Sequence, residues 1–169
     1  QWETTIPPLI RVTLIHNNNP MWVTLMLDET SPTSFLLRSV ASIFPDFTSD
    51  YQRGETEYGV FQVAPTDHKP IARWSLPLRN DFIKTPPPIN DPQLVEHFKR
   101  MLPHAHPYFA TCRTIDGVIG SQTLSIIMRD TVNQPDNSLP KAQQSIFGWV
   151  ISGVWNGCSC HPHRRAGGC

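Results

Sequence analysis

One carboxylate in this chain stands where a catalytic group could be held rigid. Asp28 follows Met21–Leu27, an alternating apolar run rich in Val, Thr, Leu and Trp, and precedes Glu29-Thr30-Ser31-Pro32, a turn-forming stretch with small hydroxyls. A carboxylate at the point where the backbone leaves a sheet either bonds its own turn or serves as an acid or base on a stiff support. Asp116, just ahead of Gly117, is expected to bond backbone and not to act as a second catalytic carboxylate. His104 and His106 lie one residue apart in a proline-bounded loop and are expected to be solvent-exposed turn residues.

Four cysteines fall at Cys112, Cys158, Cys160 and Cys169, the last three in a tail with His161 and His163. Structural zinc knuckles space their cysteines by two to four residues, and Cys158-Ser159-Cys160 does not. Neither a metal nor another cofactor is expected. Residues 154–169 are expected to form a poorly ordered tail behind a single domain over residues 1–153.

Lys plus Arg equal Asp plus Glu at 14 each, so no global charge draws the chain to nucleic acid or to an anionic membrane. No apolar run approaches the roughly 18 residues of a membrane span. The chain opens on Gln1 with no basic-then-apolar leader, which suggests a processed piece; an intracellular location is favoured. Its 17 prolines are about twice the usual share. They argue for short strands and rigid turns over long helices.

The elements that must position Asp28 follow from hydrophobic period. Pro8–Leu14 and Met21–Leu27 alternate as strands around the turn cluster His16–Pro20. Ser34–Phe44 spaces its apolar residues at helical intervals and is expected to be a helix. Pro45–Thr56 reads as an exposed loop or hairpin tip, and Tyr58–Ala64 and Ile71–Leu78 read as strands. Thr85–Pro88 is a stiff extended connector. Asp91–Leu102 has a cap, a first-turn proline and an apolar face, and Pro103 stops it. Thr114–Gly120 is a short apolar strand broken by glycines, after which Ser121–Met128 resumes the apolar run. Asn133–Pro140 is a loop and Ile146–Ser152 the last strong strand. The fold class expected is mainly β with one to three short helices.

Two late segments carry a resemblance. Pro140-Lys141-Ala142-Gln143 with Phe147-Gly148-Trp149-Val150-Ile151-Ser152-Gly153 resembles the segment that closes the retropepsin-like aspartic peptidase domain of Bel/Pao retrotransposon polyproteins. Ile115-Asp116-Gly117-Val118-Ile119-Gly120 is similar to the apolar-apolar-glycine run in the second half of that domain. Leu25–Phe35, with Asp28 within it, then occupies the place of the family's active-site stretch. The likeness covers roughly residues 8–153.

It implies a small acid-protease barrel supplying one aspartate, Asp28, and working as a homodimer on a peptide or polyprotein substrate. Glu29, Thr30 and Ser31 would form the active-site loop, Val118, Ile119 and Gly120 the strand supporting it, and Gly54 the flap. The likeness fails at one triplet: the family has aspartate, then serine or threonine, then glycine, and this chain has Asp28-Glu29-Thr30. Glu29 would set two like charges at the dimer interface. β-Branched Thr30 is expected to hinder the approach of backbone amides to the carboxylate. The loop is therefore expected to be degenerate, which leaves a catalytically inactive dimerisation scaffold of the same fold as the alternative. A third reading takes Gly54–Gln62 as similar to the loop-strand of lysozyme-like glycosidases, with Glu29 as general acid and Glu55 or Glu57 as partner. Those folds are mostly helical, so helix content decides it.

Overall fold

The computed structural model describes residues 4–157. The cysteine- and histidine-bearing tail expected to be poorly ordered, Cys158 to Cys169, lies outside the described residues.

Strand β1 (Thr5–Ile6) leads into β2 (Leu9–His16) and β3 (Asn19–Leu27), which pair antiparallel from Leu9↔Met26 to His16↔Asn19. Asn17 and Asn18 close this hairpin with φ of 49° and 65°. Two positive φ values in a two-residue loop match the twist of the flanking strands, and Asn tolerates them better than most residues. Next come β4 (Phe35–Leu37), the single-turn helix α1 (Arg38–Ala41), β5 (Tyr51–Arg53), β6 (Thr56–Pro65) and β7 (Ala72–Arg79). After a long connection holding α2 (Pro92–His97), the chain forms β8 (Gly117–Ile119), α3 (Ser121–Ile127), β9 (Met128–Asn133), β10 (Lys141–Ser145) and β11 (Gly148–Val154).

Six strands close on themselves in the order β2-β3-β8-β4-β7-β6, with β6 pairing back to β2 and β5 attached outside β6. Closure removes the edges that an open sheet would expose. The interior is filled by alternate residues of each strand, among them Ile10, Val12, Leu14, Val23, Leu25, Phe61, Val63, Leu76, Leu78 and Ile119. Each fully buried aliphatic side chain of this kind stabilises by roughly 1.5–3 kcal/mol. A second sheet, β1-β11-β10-β9, packs a separate core of Ile6, Leu94, Phe98, Phe109, Ala142, Ile151 and Trp155.

The fold is mainly β: among the described residues 42% are strand and 11% helix. That content removes the lysozyme-like reading, which needs a helical scaffold.

Several elements differ from expectation. Ser34–Phe44 is a strand and then one helical turn, because Phe35 pairs with Val118 and Leu36 with Leu78 inside the barrel wall. Both side chains are buried, and a helix could not offer two consecutive residues to opposite neighbours. Asp91 does cap α2, accepting from the Gln93 amide at 3.0 Å, but that helix ends at His97. The apolar run after Gly120 is helix α3. Ile146 and Phe147 form a turn between β10 and β11, held by the Ser145 hydroxyl, which accepts from the Phe147 amide and donates to the Gly148 carbonyl. Val154 and Trp155 belong to the domain and not to the tail. Val154 pairs with Thr5, and Trp155 is buried, its indole N–H donating to Asp91 at 2.8 Å.

Candidate functional site

Asp28 is the first residue past β3, and β8 lies parallel beside that strand with Leu27 level with Ile119. The Asp28 amide donates to the Ile119 carbonyl at 2.9 Å. Two further bonds fasten the loop to the same segment: the Gly120 amide donates to Ser34 Oγ at 2.8 Å, and the Ser121 amide to the Ser31 carbonyl at 2.7 Å. Residues Asp28 to Ser34 are thereby anchored at three points to residues 119–121. Val118 and Ile119 are buried beneath, and β8 is clamped between β3 and β4.

Gly120 is needed here for closeness. A Cβ on it would stand 2.6 Å from both the Ser31 and Thr33 carbonyl oxygens, inside any real contact distance. Its backbone is extended, so no side chain is excluded by conformation; the loop itself takes the space.

Within the loop, the Thr30 amide donates to Asp28 Oδ1 at 3.0 Å and the Thr30 hydroxyl to the same oxygen at 2.6 Å. The Ser31 hydroxyl donates to the Thr33 carbonyl, and the Ser31 amide to the Asp28 carbonyl. Among the described residues Asp28 Oδ2 accepts no hydrogen bond. The expectation that Thr30 keeps amides from the carboxylate is thus overturned. Thr30 holds a negative φ, so its β-branch costs nothing there, and its hydroxyl adds a donor that glycine lacks. Glu29 is exposed and without an ion pair among the described residues.

Beside this loop opens a groove of about 480 Å³ between the β3 end, α3 and the second sheet, lined by Pro8, Leu27, Glu29, Leu124, Lys141 and Val150 among others. Gly54 sits elsewhere, at the tip of the exposed β5–β6 hairpin with φ of 58°. The hairpin is stiffened by stacked Tyr51 and Tyr58 rings 4.7 Å apart, and an ion pair between Arg38 and Glu57, which stands opposite Gln52 in the hairpin, ties it to α1. Glu57 is therefore engaged structurally, and Glu55 lies beside Gly54 in the turn.

Behind β3 lies a polar knot that sequence reasoning missed. His106 is 2% exposed, which corrects its assignment to a solvent-exposed turn. Its Nδ1 accepts from the Tyr108 amide at 3.0 Å, so Nε2 carries the proton and donates to the Thr24 hydroxyl at 2.8 Å. Burial, reinforced by Arg11 and Arg113, lowers its pKa to about 4. Asp116 accepts from the Thr24 amide at 2.8 Å, a bond made across strands and not in its own turn. Burial raises its pKa, against a smaller lowering by that amide. His104 is half-buried and bonds the Phe98 carbonyl. Trp155 is buried, Trp74 and Trp149 are half-buried, and Trp22 lies exposed beneath the Arg11 guanidinium at 4.0 Å.

Among the described residues no cluster of three or more His, Cys, Asp or Glu side chains could hold a metal ion, and no helix is long and apolar enough to cross a membrane. Comparison with protein-family models, curated proteins and solved structures returned no match for this chain.

Proposed function

We propose that this chain is one subunit of a retropepsin-like aspartic endopeptidase of the kind found in Bel/Pao polyproteins, working as a homodimer on a peptide or polyprotein substrate. The observation that carries the reading is the fastening of the Asp28 loop to Ile119, Gly120 and Ser121, with Gly120 giving the close approach. The resemblance calls for that juxtaposition from segments some ninety positions apart.

The chemistry needs two such aspartates. Two carboxylates brought close cannot both ionise, so the pair shares one proton. The ionised member takes a proton from water as the water oxygen bonds to the scissile carbonyl carbon. The protonated member gives its proton to the carbonyl oxygen. Collapse then breaks the C–N bond: the departing nitrogen takes the proton that the first carboxylate gained from water, and the second carboxylate recovers one from a hydroxyl of the tetrahedral intermediate. In this chain Thr30 occupies Asp28 Oδ1 with two donors and leaves Oδ2 open to face a second copy.

A second reading, the inactive scaffold of the same fold, is favoured by one feature. Glu29 is exposed beside Asp28 and would carry charge to the two-fold. Cleavage of a peptide library at mildly acid pH separates the two when run beside Asp28→Asn, with sedimentation on both proteins. Cleavage that Asp28→Asn abolishes supports the peptidase. Dimers that never cleave leave the scaffold.

A further inference from the structure

The groove beside the loop brings together two charges that do not meet. Glu29 and Lys141 both line it and are the charged residues in its wall among those described. Each is exposed, and neither makes a salt bridge or a side-chain hydrogen bond among the described residues. The rest of the wall is apolar or neutral: Pro8, Leu27, Leu124 and Val150 with several serines. A groove wall that carries one charge of each sign is complementary to itself in charge. A second copy turned by a two-fold can present its Lys141 to Glu29 and its Glu29 to Lys141.

We propose that the occupant of this groove is a second copy of the chain, and that Glu29 pairs across the two-fold with Lys141 of the partner subunit. The proposal rests on the dimeric reading above, which puts the Asp28 loop, and so Glu29, beside the axis. It reverses the sign expected for Glu29: the carboxylate attracts a cation and does not repel its own symmetry mate. A two-fold makes the contact twice, so each substitution removes two pairs. Lys141 is in turn fixed in place by β10, where its backbone pairs with Ser152.

The test is the dimer dissociation constant, by sedimentation equilibrium at low and high salt, on five versions of this 169-residue chain. These are the parent, Glu29→Gln, Glu29→Lys, Lys141→Glu and the double swap Glu29→Lys/Lys141→Glu. Both positions are exposed, so folding is not at risk, and circular dichroism checks it. Glu29→Gln is expected to weaken the dimer about tenfold, two exposed pairs being lost, and the effect shrinks at high salt. The two charge reversals should weaken it further, and the double swap should return it close to the parent. A Glu29→Gln dimer as tight as the parent or tighter, or a double swap no better than the single reversals, overturns the pairing and leaves the dimer standing. A parent that stays monomeric at its highest soluble concentration overturns the dimeric reading and the pairing with it.

Discussion

The amide of Asp28 donates to the carbonyl of Ile119 at 2.9 Å, joining two residues separated by most of the barrel's sequence. This bond continues the β3–β8 ladder one residue past the end of β3, so the loop starts in a direction set by the sheet. A carboxylate launched from a ladder has little freedom to wander, as acid–base work requires.

Gly120→Ala tests how tightly that loop is seated. The added methyl meets two carbonyl oxygens at 2.6 Å, and neither belongs to a flexible side chain. Denaturant unfolding should show a loss of about 1–3 kcal/mol, the usual cost of overpacking. Any peptide cleavage should fall more steeply than stability does, because Asp28 moves with the loop. A variant as stable as the parent would mean that the contact relaxes freely.

Thr30 makes a second test. Thr30→Val keeps the amide bond to Asp28 and removes the hydroxyl bond. Cleavage should drop about tenfold, the equivalent of one hydrogen bond of roughly 1.4 kcal/mol. Thr30→Gly should behave like Thr30→Val, since it too keeps only the amide. A large rise in cleavage for Thr30→Gly would show that the β-branch obstructs the site after all.

The sequence made the barrel's first hairpin legible because period and turn chemistry agree there: alternating strands flank two asparagines that accept positive φ. The cap at Asp91 was legible for the same reason. Phe35 and Leu36 misled, because a pair of adjacent apolar residues fits a helical stripe as well as a strand buried on both faces. Ile146 and Phe147 misled differently: they are apolar turn residues whose bend is made by the Ser145 hydroxyl, and hydropathy carries no trace of that. In the candidate site, Asp28 and the Val118–Gly120 segment could be picked out by motif. The role of Thr30 could not, because whether a β-branched residue helps or hinders depends on its φ. His106 gave no signal, since its partners Thr24 and Tyr108 come from a distant strand and from a backbone amide.

At the tip of the β5–β6 hairpin, Gly54 has a positive φ and nothing within 4 Å of a Cβ. Gly54→Ala should therefore cost only conformational strain, about 1 kcal/mol, and only in the hairpin. If this hairpin closes over substrate, KM for a cleaved peptide should rise while the unfolding midpoint barely moves. Equal KM in parent and variant would remove the hairpin from substrate binding.

The knot on Thr24 predicts how stability answers to pH. His106 has a folded pKa of about 4 against an ordinary 6.5. Between these values the unfolded chain binds the extra proton, so the contribution of His106 is complete above pH 6.5 and is lost as pH falls toward 4. At about 1.4 kcal/mol per unit, the loss is of order 3 kcal/mol. Asp116 works in the opposite direction. Its folded pKa is raised, so the folded chain binds the extra proton just above the ordinary carboxylate value, and stability grows as pH falls through that window. Urea unfolding at pH 7.5 and pH 4.5 on three proteins separates the two groups. His106→Gln should lose less stability than the parent on acidification, because a neutral amide can still bond Thr24 and has no proton to gain. Asp116→Asn should lose more, because the opposing gain is gone while its amide oxygen can still accept from the Thr24 amide. Identical pH dependence in all three would show that both groups titrate in the folded protein as they do in the unfolded chain.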